Sequence, residues 1–282
     1  MTGERTAARA LALEVLAVPN DSFMSDQPTN AIIVGTDEVF IVDPGDKAGI
    51  AIVQEALDAR GTVRVKAILL THCHPDHAVA APELRRRYDC PIMLNPKEQP
   101  LLRQFLDWSA IDLPLMGGMT LTVDGGRLEA LDTPGHSPGH VALYELVART
   151  LLAGDLVSGH GTVGIFPPHG KMSEYFASLA RMQQLGARLV IPGHGPALPQ
   201  PPDIFGRYIE RRAKREREIY AVVARAPTMI AAILLELYPD VLPQFRRAAA
   251  ATILAHLEKL RTEGRVTSDA DDPFSARWHA SA

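Results

Sequence analysis

The segment THCHPDH at residues 71–77 places three histidines and one aspartate within six positions, directly after an apolar run. Imidazole nitrogens and carboxylate oxygens together suit zinc or a similar transition metal. In HxH spacing, alternate side chains point to one side, and the adjacent Asp76 and His77 reach a second point. A polar loop that holds histidine by chance would explain a single HxH pair, but four candidate ligands so close together indicate a metal site.

Three further segments carry candidate ligands at glycine-rich breaks. TPGHSPGH at 133–140 offers His136 and His140, LLAGDLVSG at 151–159 offers Asp155, and VIPGHGP at 190–196 offers His194. Five of the ten histidines lie in the ligand positions of these motifs: His72, His74, His77, His136 and His194. This concentration predicts one site rather than scattered core histidines.

Short apolar runs must position these loops. Runs rich in valine and isoleucine that end at Gly, Pro or Asp predict buried strands; they lie at 30–35, 38–45, 65–71 and 187–193. Stretches with helical patterning lie between them, at 50–60, 78–88 and 174–185. Strands that alternate with helices predict an α/β layered core, and loops at strand ends are where a rigid sheet holds functional groups.

In their order along the chain, THCHPDH, PGH, GD and PGHG resemble the metallo-β-lactamase superfamily over roughly residues 13–200. The resemblance implies an αββα sandwich with the site at one edge of its two sheets. It assigns His72, His74 and His136 to one metal ion, Asp76, His77 and His194 to a second, and Asp155 to both. All seven positions carry the expected residue, which argues against the branches that replace a histidine for di-iron redox chemistry.

Such a site implies hydrolysis by a hydroxide shared between two divalent cations. Two cations roughly 3.5–4 Å apart lower the pKa of a bound water towards about 7. The hydroxide then attacks a carbonyl carbon or a phosphorus, with Asp76 as the residue that orients it. Zinc is the expected metal, and manganese or iron are alternatives because the same ligands accept them.

Three residues are candidates for supporting roles. The resemblance places Asp43, in VDPG at 42–45, beneath the metal loop, although a turn former before Pro-Gly explains the same pattern. His160 and His169 flank the loop after Asp155 and either could protonate a leaving group; ordinary exposed loop histidines are the alternative. Alternation in the metal loop makes Cys73 a small buried side chain rather than a ligand.

After residues 196–203, short apolar runs broken by Gly and Pro give way to long helical segments, the first of them very basic. This change predicts a catalytic domain at 1–203 and a second domain at 204–282. Helical segments at 204–225, 228–240 and 245–264 precede a tail that reads as two strands around an acidic turn. This order predicts a winged-helix-like domain. The apolar AAAATIL segment leaves room for a homodimer.

The second domain makes the chain resemble the lactamase-beta-2-like group, whose members include thioesterases that release polyketide acyl chains and an endoribonuclease specific for single strands. The leading prediction is hydrolysis of an ester, thioester or lactone in a small or carrier-bound acyl substrate. The alternative is a phosphodiesterase acting on single-stranded RNA, favoured by the basic run at 207–217. A winged-helix nucleic-acid-binding protein with a non-catalytic sandwich is a third hypothesis. The loop at 19–30, with Phe23 and Met24, departs from the group and leaves substrate preference open.

Composition is ordinary for a globular protein. The 282 residues carry a net charge of −4, with 46% hydrophobic and 22% charged residues, so no global attraction to nucleic acid is expected. Two cysteines provide no disulfide framework. No apolar run approaches the roughly 20 residues of a membrane span, so no membrane partner is expected. The first residues lack the pattern of a secretion signal, and a cytoplasmic location is the expectation.

Overall fold

The computed structural model describes residues 9–19, 27–106, 111–199 and 203–281. Most of the 19–30 loop, including Phe23 and Met24, lies outside these residues, so the substrate preference that this loop leaves open is not decided by the described structure. The described chain divides into two compact units. The first takes residues up to Thr133, Gly139–Gly161 and the segment from Gly186; the second takes Pro134–Pro138, Thr162–Leu185 and the segment from Asp203. The predicted boundary after residue 203 stays a prediction.

The first unit contains two six-stranded sheets. The strands of the first sheet, in spatial order, are β1 Leu13–Val18, β2 Thr29–Gly35, β3 Glu38–Val42, β4 Arg64–Leu69, β5 Ile92–Leu94 and β6 Leu113–Pro114. Strands β1 to β3 pair antiparallel, and β3 to β6 pair parallel. Its helices are α1 Ala48–Asp58, α2 Pro75–Ala78, α3 Ala81–Tyr88 and α4 Gln99–Phe105, with a one-turn 3₁₀ helix at Pro96–Glu98.

The second sheet contains the strands β7 Thr120–Val123, β8 Gly126–Asp132, β9 Val141–Glu145, β10 Thr150–Gly154, β11 Leu189–Pro192 and β12 Leu198–Pro199, in spatial order. Only β10 and β11 pair parallel. Parallel neighbours end at the same edge of a sheet. Asp155 and His194, which follow β10 and β11, are therefore brought to one edge.

Alternation along the strands explains how the first sheet buries both faces. On β2, Ile32 and Val34 pack between the two sheets with residues such as Leu143 and Leu152 of the second sheet. Ile33 points the other way and packs with Val53 and Leu57 of α1, among others. The first sheet is thus covered by helices on its outer face and by the second sheet on its inner face, as in a layered sandwich.

The first sheet has the same arrangement: β3 and β4 pair parallel, so both end at the same edge. Asp43 follows β3, and the metal loop at 71–77 follows β4. The two sheets are tied at this edge by Asn30. Its side-chain amide donates to the carbonyls of Pro192 at 2.8 Å and Gly195 at 2.7 Å, and its backbone N–H donates to Gly193 at 2.8 Å.

The second unit has a core of its own. Its elements are α5 Met172–Leu185, α6 Ile204–Arg225, β13 Thr228–Met229, α7 Ile230–Leu237, a 3₁₀ turn at Pro243–Phe245, α8 Arg246–Thr262, β14 Val266–Ser268 and β15 Arg277–Ala280. The strands form a sheet in the order β13-β15-β14. Trp278 on β15 is fully buried among Ile253, Leu257 and Leu260 of α8. Three helices followed by a hairpin are the predicted winged-helix arrangement.

Two further expectations concern α8 and membranes. Within AAAATIL, Ile253 and Leu254 belong to the core of the second unit and Ala250 packs against it. These residues are therefore not available as a dimer surface, and the homodimer stays a prediction. Among the described helices, none is long and apolar enough to cross a bilayer.

Candidate metal centre

The metal loop follows β4 through a bend at residues 71–72 and then enters α2. Pro75 occupies the first turn of α2, where its missing N–H costs no hydrogen bond. His74, just before it, has extended backbone angles (φ −62°, ψ 145°). The four candidate ligands of the loop are all buried. Asp76 and His77 thus lie within α2, and His72 and His74 lie in the segment before it.

The first unit brings six of the seven predicted ligands to one place. His72, His77 and Asp155 form one group, and Asp76, His77 and His194 form another; in each, the ligand atoms lie within 4.8 Å of one another. His74 joins through its Nδ1, which lies 3.0 Å from Nε2 of His72. His77 belongs to both groups.

Asp43 supports the loop from behind. One carboxylate oxygen accepts from the backbone N–H of Thr71 at 2.8 Å, and the other accepts from the Thr71 hydroxyl at 2.7 Å and from Nδ1 of His77 at 3.0 Å. The Thr71 oxygen in turn lies 3.0 Å from Nδ1 of His72. Asp43 itself has a left-handed backbone, with φ 45°. Its side chain thus orients two ligand histidines, one directly and one through Thr71.

These contacts decide which ring nitrogen faces the site. A carboxylate or a carbonyl can only accept, so Nδ1 of His77 donates to Asp43, and Nδ1 of His194 donates to the carbonyl of Pro28 at 3.1 Å. The two Nε2 atoms then face each other 3.3 Å apart. A positive charge between the two nitrogens, carried by a bound proton or by a metal ion, would stabilise this arrangement.

The surrounding carboxylates favour the same conclusion. Oδ1 of Asp155 lies 3.5 Å from Nε2 of both His77 and His194, and Oδ2 of Asp76 lies 3.4 Å from His194. Oδ1 of Asp76 is buried and makes no hydrogen bond to the described part of the chain. A donor set of imidazoles and carboxylates with an unsatisfied buried oxygen fits a divalent transition metal.

The ionisation of these groups shows an excess of negative charge. Burial alone would lower the pKa of His77, but the carboxylates of Asp155 and Asp43 raise it well above its ordinary value. The pKa of His194 is also raised, because Asp155 and Asp76 outweigh its burial. Burial would raise the pKa of Asp76, yet the hydrogen bond and charge from His194 and the charge of His77 lower it. The pocket therefore attracts cations.

His136 is the seventh predicted ligand and belongs to the second unit. Its Nδ1 donates to the carbonyl of Gly164 at 2.8 Å within that unit. This selects the tautomer whose Nε2 carries the lone pair, as a metal ligand requires. Coordination by His136 together with His72 and His74 stays a prediction.

His140 supports Asp155 without being a ligand. Its Nε2 accepts from the backbone N–H of Asp155 at 3.0 Å, and its Nδ1 lies 2.7 Å from the Thr133 hydroxyl. Gly154 makes this contact possible. It has a φ of 48°, and a Cβ there would lie 2.7 Å from both His140 Nε2 and Thr71 Oγ1.

Cys73 is fully buried, as the alternation predicted. Its backbone N–H donates to Oε2 of Glu98 at 3.1 Å. Burial, and then the nearby Glu98 carboxylate, raise the pKa of the Cys73 thiol. A neutral thiol is a poor metal ligand.

The two remaining candidates lie in different units. His160, in the first unit, is exposed, and its backbone N–H donates to the Ser158 hydroxyl at 3.2 Å. His169, in the second unit, is half-buried. Leaving-group protonation by either residue stays a prediction.

Sequence reasoning missed Thr71, Glu98 and Thr29. The hydroxyl of Thr29 donates to the backbone carbonyl of Asp76 at 2.7 Å. Thr71 begins the THCHPDH segment, whereas Thr29 and Glu98 lie in none of the quoted ligand motifs. The three side chains act through hydrogen bonds to residues 25 or more positions away, and Thr71 also contacts its neighbour His72.

The basic run on α6 is partly structural. Arg212 is buried, donates to Thr162 Oγ1 at 2.8 Å and to the carbonyl of Val163, and lies over the ring of Tyr175. Arg215 lies over Tyr238. These two arginines contact protein groups of their own unit, which weakens the basic run as an RNA track.

Comparison with known proteins agrees with this geometry. A sequence profile of the metallo-beta-lactamase superfamily matches residues 24–194. The chain belongs to this superfamily. A profile of the beta-lactamase associated winged helix domain matches residues 230–278. The predicted metallo-β-lactamase fold followed by a winged-helix domain is confirmed, and so is the prediction of a hydrolase.

Individual members of the superfamily extend the comparison. The chain is 31% identical over 202 residues to the atrochrysone carboxyl ACP thioesterase of Aspergillus fumigatus, covering 71% of this chain and 61% of that protein. It is 28% identical over 267 residues to the beta-lactamase-like protein 2 homolog of Caenorhabditis elegans, covering 89% and 84%. A metallo-beta-lactamase family protein from Thermus thermophilus superimposes with a TM-score of 0.77 at 28% identity, covering 95% of this chain and 98% of that one.

Proposed function

We propose that this metallo-β-lactamase-fold hydrolase is a dinuclear metal enzyme that cleaves a carrier-bound acyl thioester. The observation that carries the proposal is the pair of Nε2 atoms of His77 and His194, 3.3 Å apart, with Asp155 3.5 Å from each. The similarity to a carboxyl ACP thioesterase supplies the substrate class. Hydrolysis converts the thioester and water into a carboxylic acid and a thiol.

Two divalent cations would be held by His72, His74 and His136 and by Asp76, His77 and His194, with Asp155 contacting both. Bound there, they would supply a deprotonated water near neutral pH and polarise the thioester carbonyl. Zinc is the first choice for these ligands, and manganese or iron are the alternatives.

The residues of the chain have separable tasks. Asp43 and Thr71 fix the tautomers of His77 and His72, so that both Nε2 atoms face the site. Asp76 keeps one buried oxygen without a hydrogen bond in the described chain, and this oxygen would orient the nucleophilic water. A thiol has an ordinary pKa of about 8.5, so it leaves as a thiolate more readily than an alcohol leaves as an alkoxide. Leaving-group protonation by His160 or His169 is then of minor importance.

A paired assay on one preparation of known metal content tests the proposal. One arm offers acyl thioesters of a carrier protein, and the other offers labelled single-stranded RNA. Each arm includes Asp76→Ala and, as a matched control, Asp58→Ala, which removes an exposed carboxylate on α1. Thioester hydrolysis lost only in Asp76→Ala is the expected result. RNA cleavage without thioester hydrolysis would replace the proposal by the phosphodiesterase alternative.

A further inference from the structure

We infer that Glu98 is a positioning residue of the metal centre, which fixes the backbone of two ligand-bearing segments with one buried carboxylate. The inference rests on the proposed metal site, but not on the substrate. Among the described residues, Glu98 makes no hydrogen bond to a predicted ligand side chain; it acts through two backbone N–H groups, and the Cys73 thiol also hydrogen-bonds to it.

The contacts of Glu98 are direct. The side chain is fully buried at the end of the 3₁₀ turn Pro96–Glu98. Oε2 accepts from the backbone N–H of Cys73 at 3.1 Å, and Oε1 accepts from the backbone N–H of Gly139 at 2.6 Å. The partners lie 25 and 41 residues away in sequence. One carboxylate therefore joins segments that no secondary-structure element connects.

Each of the two backbone N–H groups lies next to residues that carry or hold predicted ligands. The Cys73 amide lies between His72 and His74, so its orientation sets the directions of two ligand side chains. Gly139 precedes His140, whose Nε2 holds the backbone N–H of Asp155 at 3.0 Å. Moving Glu98 would thus disturb His72 and His74 through one bond and Asp155 through the other.

The packing around Gly139 shows how close this contact is. A Cβ at position 139 would lie 2.9 Å from Cγ of Glu98 and 3.0 Å from its Oε1. Glycine is required there for the backbone to approach the carboxylate, and φ at this position is not left-handed. The same close approach offers a second way to displace Glu98.

The charge of Glu98 matches its two partners. A carboxylate only accepts hydrogen bonds, so both oxygens can take an N–H at once. A glutamine has the same shape but one oxygen and one amino group. In Glu98→Gln, one of the two backbone N–H groups would therefore face another donor.

The chain contains a matched control in Glu145, at the end of β9. Glu145 is also fully buried, and it accepts from the backbone N–H groups of Val147 at 3.1 Å and Ala148 at 2.5 Å. These bonds close the turn between β9 and β10 and involve no ligand segment. Glu145→Gln removes the same chemistry from the same unit.

The experiment compares wild type, Glu98→Gln and Glu145→Gln as full chains stripped of metal with a chelator. Zinc affinity is measured by competition with a chromophoric chelator, the visible absorption spectrum is recorded after loading with Co²⁺, and thermal unfolding is followed without metal. We expect Glu98→Gln to bind zinc about 10-fold more weakly or worse, the loss typical of residues that orient metal ligands. Its Co²⁺ spectrum should change, while Glu145→Gln keeps the wild-type affinity and spectrum.

Two results would overturn the inference. One is a folded Glu98→Gln with wild-type affinity and spectrum. The other is an equal loss of affinity in both variants, because a general loss of stability would then explain it. Should Glu98→Gln fail to fold, Gly139→Ala displaces the carboxylate from the opposite side, and unchanged zinc binding in it would equally refute the role. Absence of metal binding by wild type removes the metal centre itself, whereas zinc binding without thioester turnover refutes only the proposed function.

Discussion

Each unit of the protein buries a histidine against a carboxylate, and the two pairs differ in their surroundings. In the first unit, Nδ1 of His77 lies 3.0 Å from Asp43. In the second unit, Nδ1 of His256 lies 3.2 Å from Glu216. Both imidazoles are fully buried. By pair geometry alone the two histidines are nearly identical.

The net charge around the two pairs differs. His77 faces a second carboxylate, Asp155, and its pKa is raised well above the ordinary value. Burial lowers the pKa of His256, and the positive charges of Arg212 and Lys259 lower it further. Glu216 opposes this shift but does not reverse it, and it is also paired with Lys259 at 2.7 Å. Excess negative charge makes the first pair part of a cation site. Balanced charge makes the second pair a structural contact between α6 and α8.

The largest expected effect on activity comes from removing the carboxylate of Asp76, which has no counterpart beside His256 in the second unit. Asp76→Ala should lower thioester hydrolysis by about 10²–10⁴-fold, the range for a group positioned to handle a reacting proton. The fold should be retained, because Asp76 is not part of the hydrophobic cores of the first unit. Circular dichroism and thermal unfolding check this. Wild-type activity in a folded Asp76→Ala protein would refute the proposed mechanism.

The next effect compares the two carboxylates directly. Asp43→Asn should weaken zinc binding by about 10–100-fold. An amide has one acceptor oxygen, so it cannot replace both carboxylate oxygens, which together accept from the Thr71 backbone N–H, the Thr71 hydroxyl and His77 Nδ1. Glu216→Gln, the same change in the other pair, should leave zinc affinity unchanged. Competition with a chelator measures both. Equal losses would mean that the charge difference between the pairs does not matter.

A smaller effect tests the structural role assigned to the basic helix. Arg212→Met should lower the free energy of unfolding by about 2 kcal/mol, because Thr162 and Val163 lose a charged hydrogen-bond donor. The exposed Arg207 on the same helix is the control, and Arg207→Ala should change stability by less than about 0.5 kcal/mol. Urea unfolding in a Trp108→Phe background makes Trp278, buried in the second unit, the fluorescent probe.

The smallest effect is a pH dependence from His256. Its pKa is lower in the folded protein than in the unfolded chain, mainly through burial and with Arg212 and Lys259 contributing against Glu216. The unfolded state therefore binds more protons as pH falls below about 6.5. Stability contributed by the neutral imidazole is present above that pH and is lost as pH falls towards the folded pKa.

His256→Gln should flatten this dependence by less than one proton, that is, by less than about 1.4 kcal/mol per pH unit. Unfolding by urea between pH 8 and 5 in the presence of EDTA measures the difference between variant and wild type. An unchanged slope would show that His256 does not titrate differently in the two states.

Much of the fold could be predicted from local patterns. The helix expected at 50–60 is α1 Ala48–Asp58, and that expected at 174–185 is α5 Met172–Leu185. The strand expected at 65–71 ends at Leu69, and Thr71 beyond it bonds to Asp43. Hydrophobic periodicity predicts the existence and type of an element better than its end residues.

The roles of the arginines show where local patterns stop being sufficient. Arg211 and Arg212 are neighbours in one basic run, yet Arg211 is exposed and Arg212 is buried against Tyr175. Helical periodicity places them on different faces, but which face meets α5 depends on the packing of the whole second unit. A test of RNA binding that neutralises Arg212 would therefore also damage the fold.

The sequence by itself determined the superfamily, the winged-helix domain and the identity of the candidate ligands, because these depend on residue types at short spacings and on their order. Only the tertiary structure decided which nitrogen of His77 and His194 faces the site and which atoms of the loop Asp43 contacts. It also decided that Glu98 bonds to the loop, and that Glu216 pairs with His256 while Lys259 compensates its charge. Those features depend on atoms brought within about 3 Å of each other from positions far apart in the chain. No local pattern encodes such distances, since they arise from the packing of complete sheets and helices.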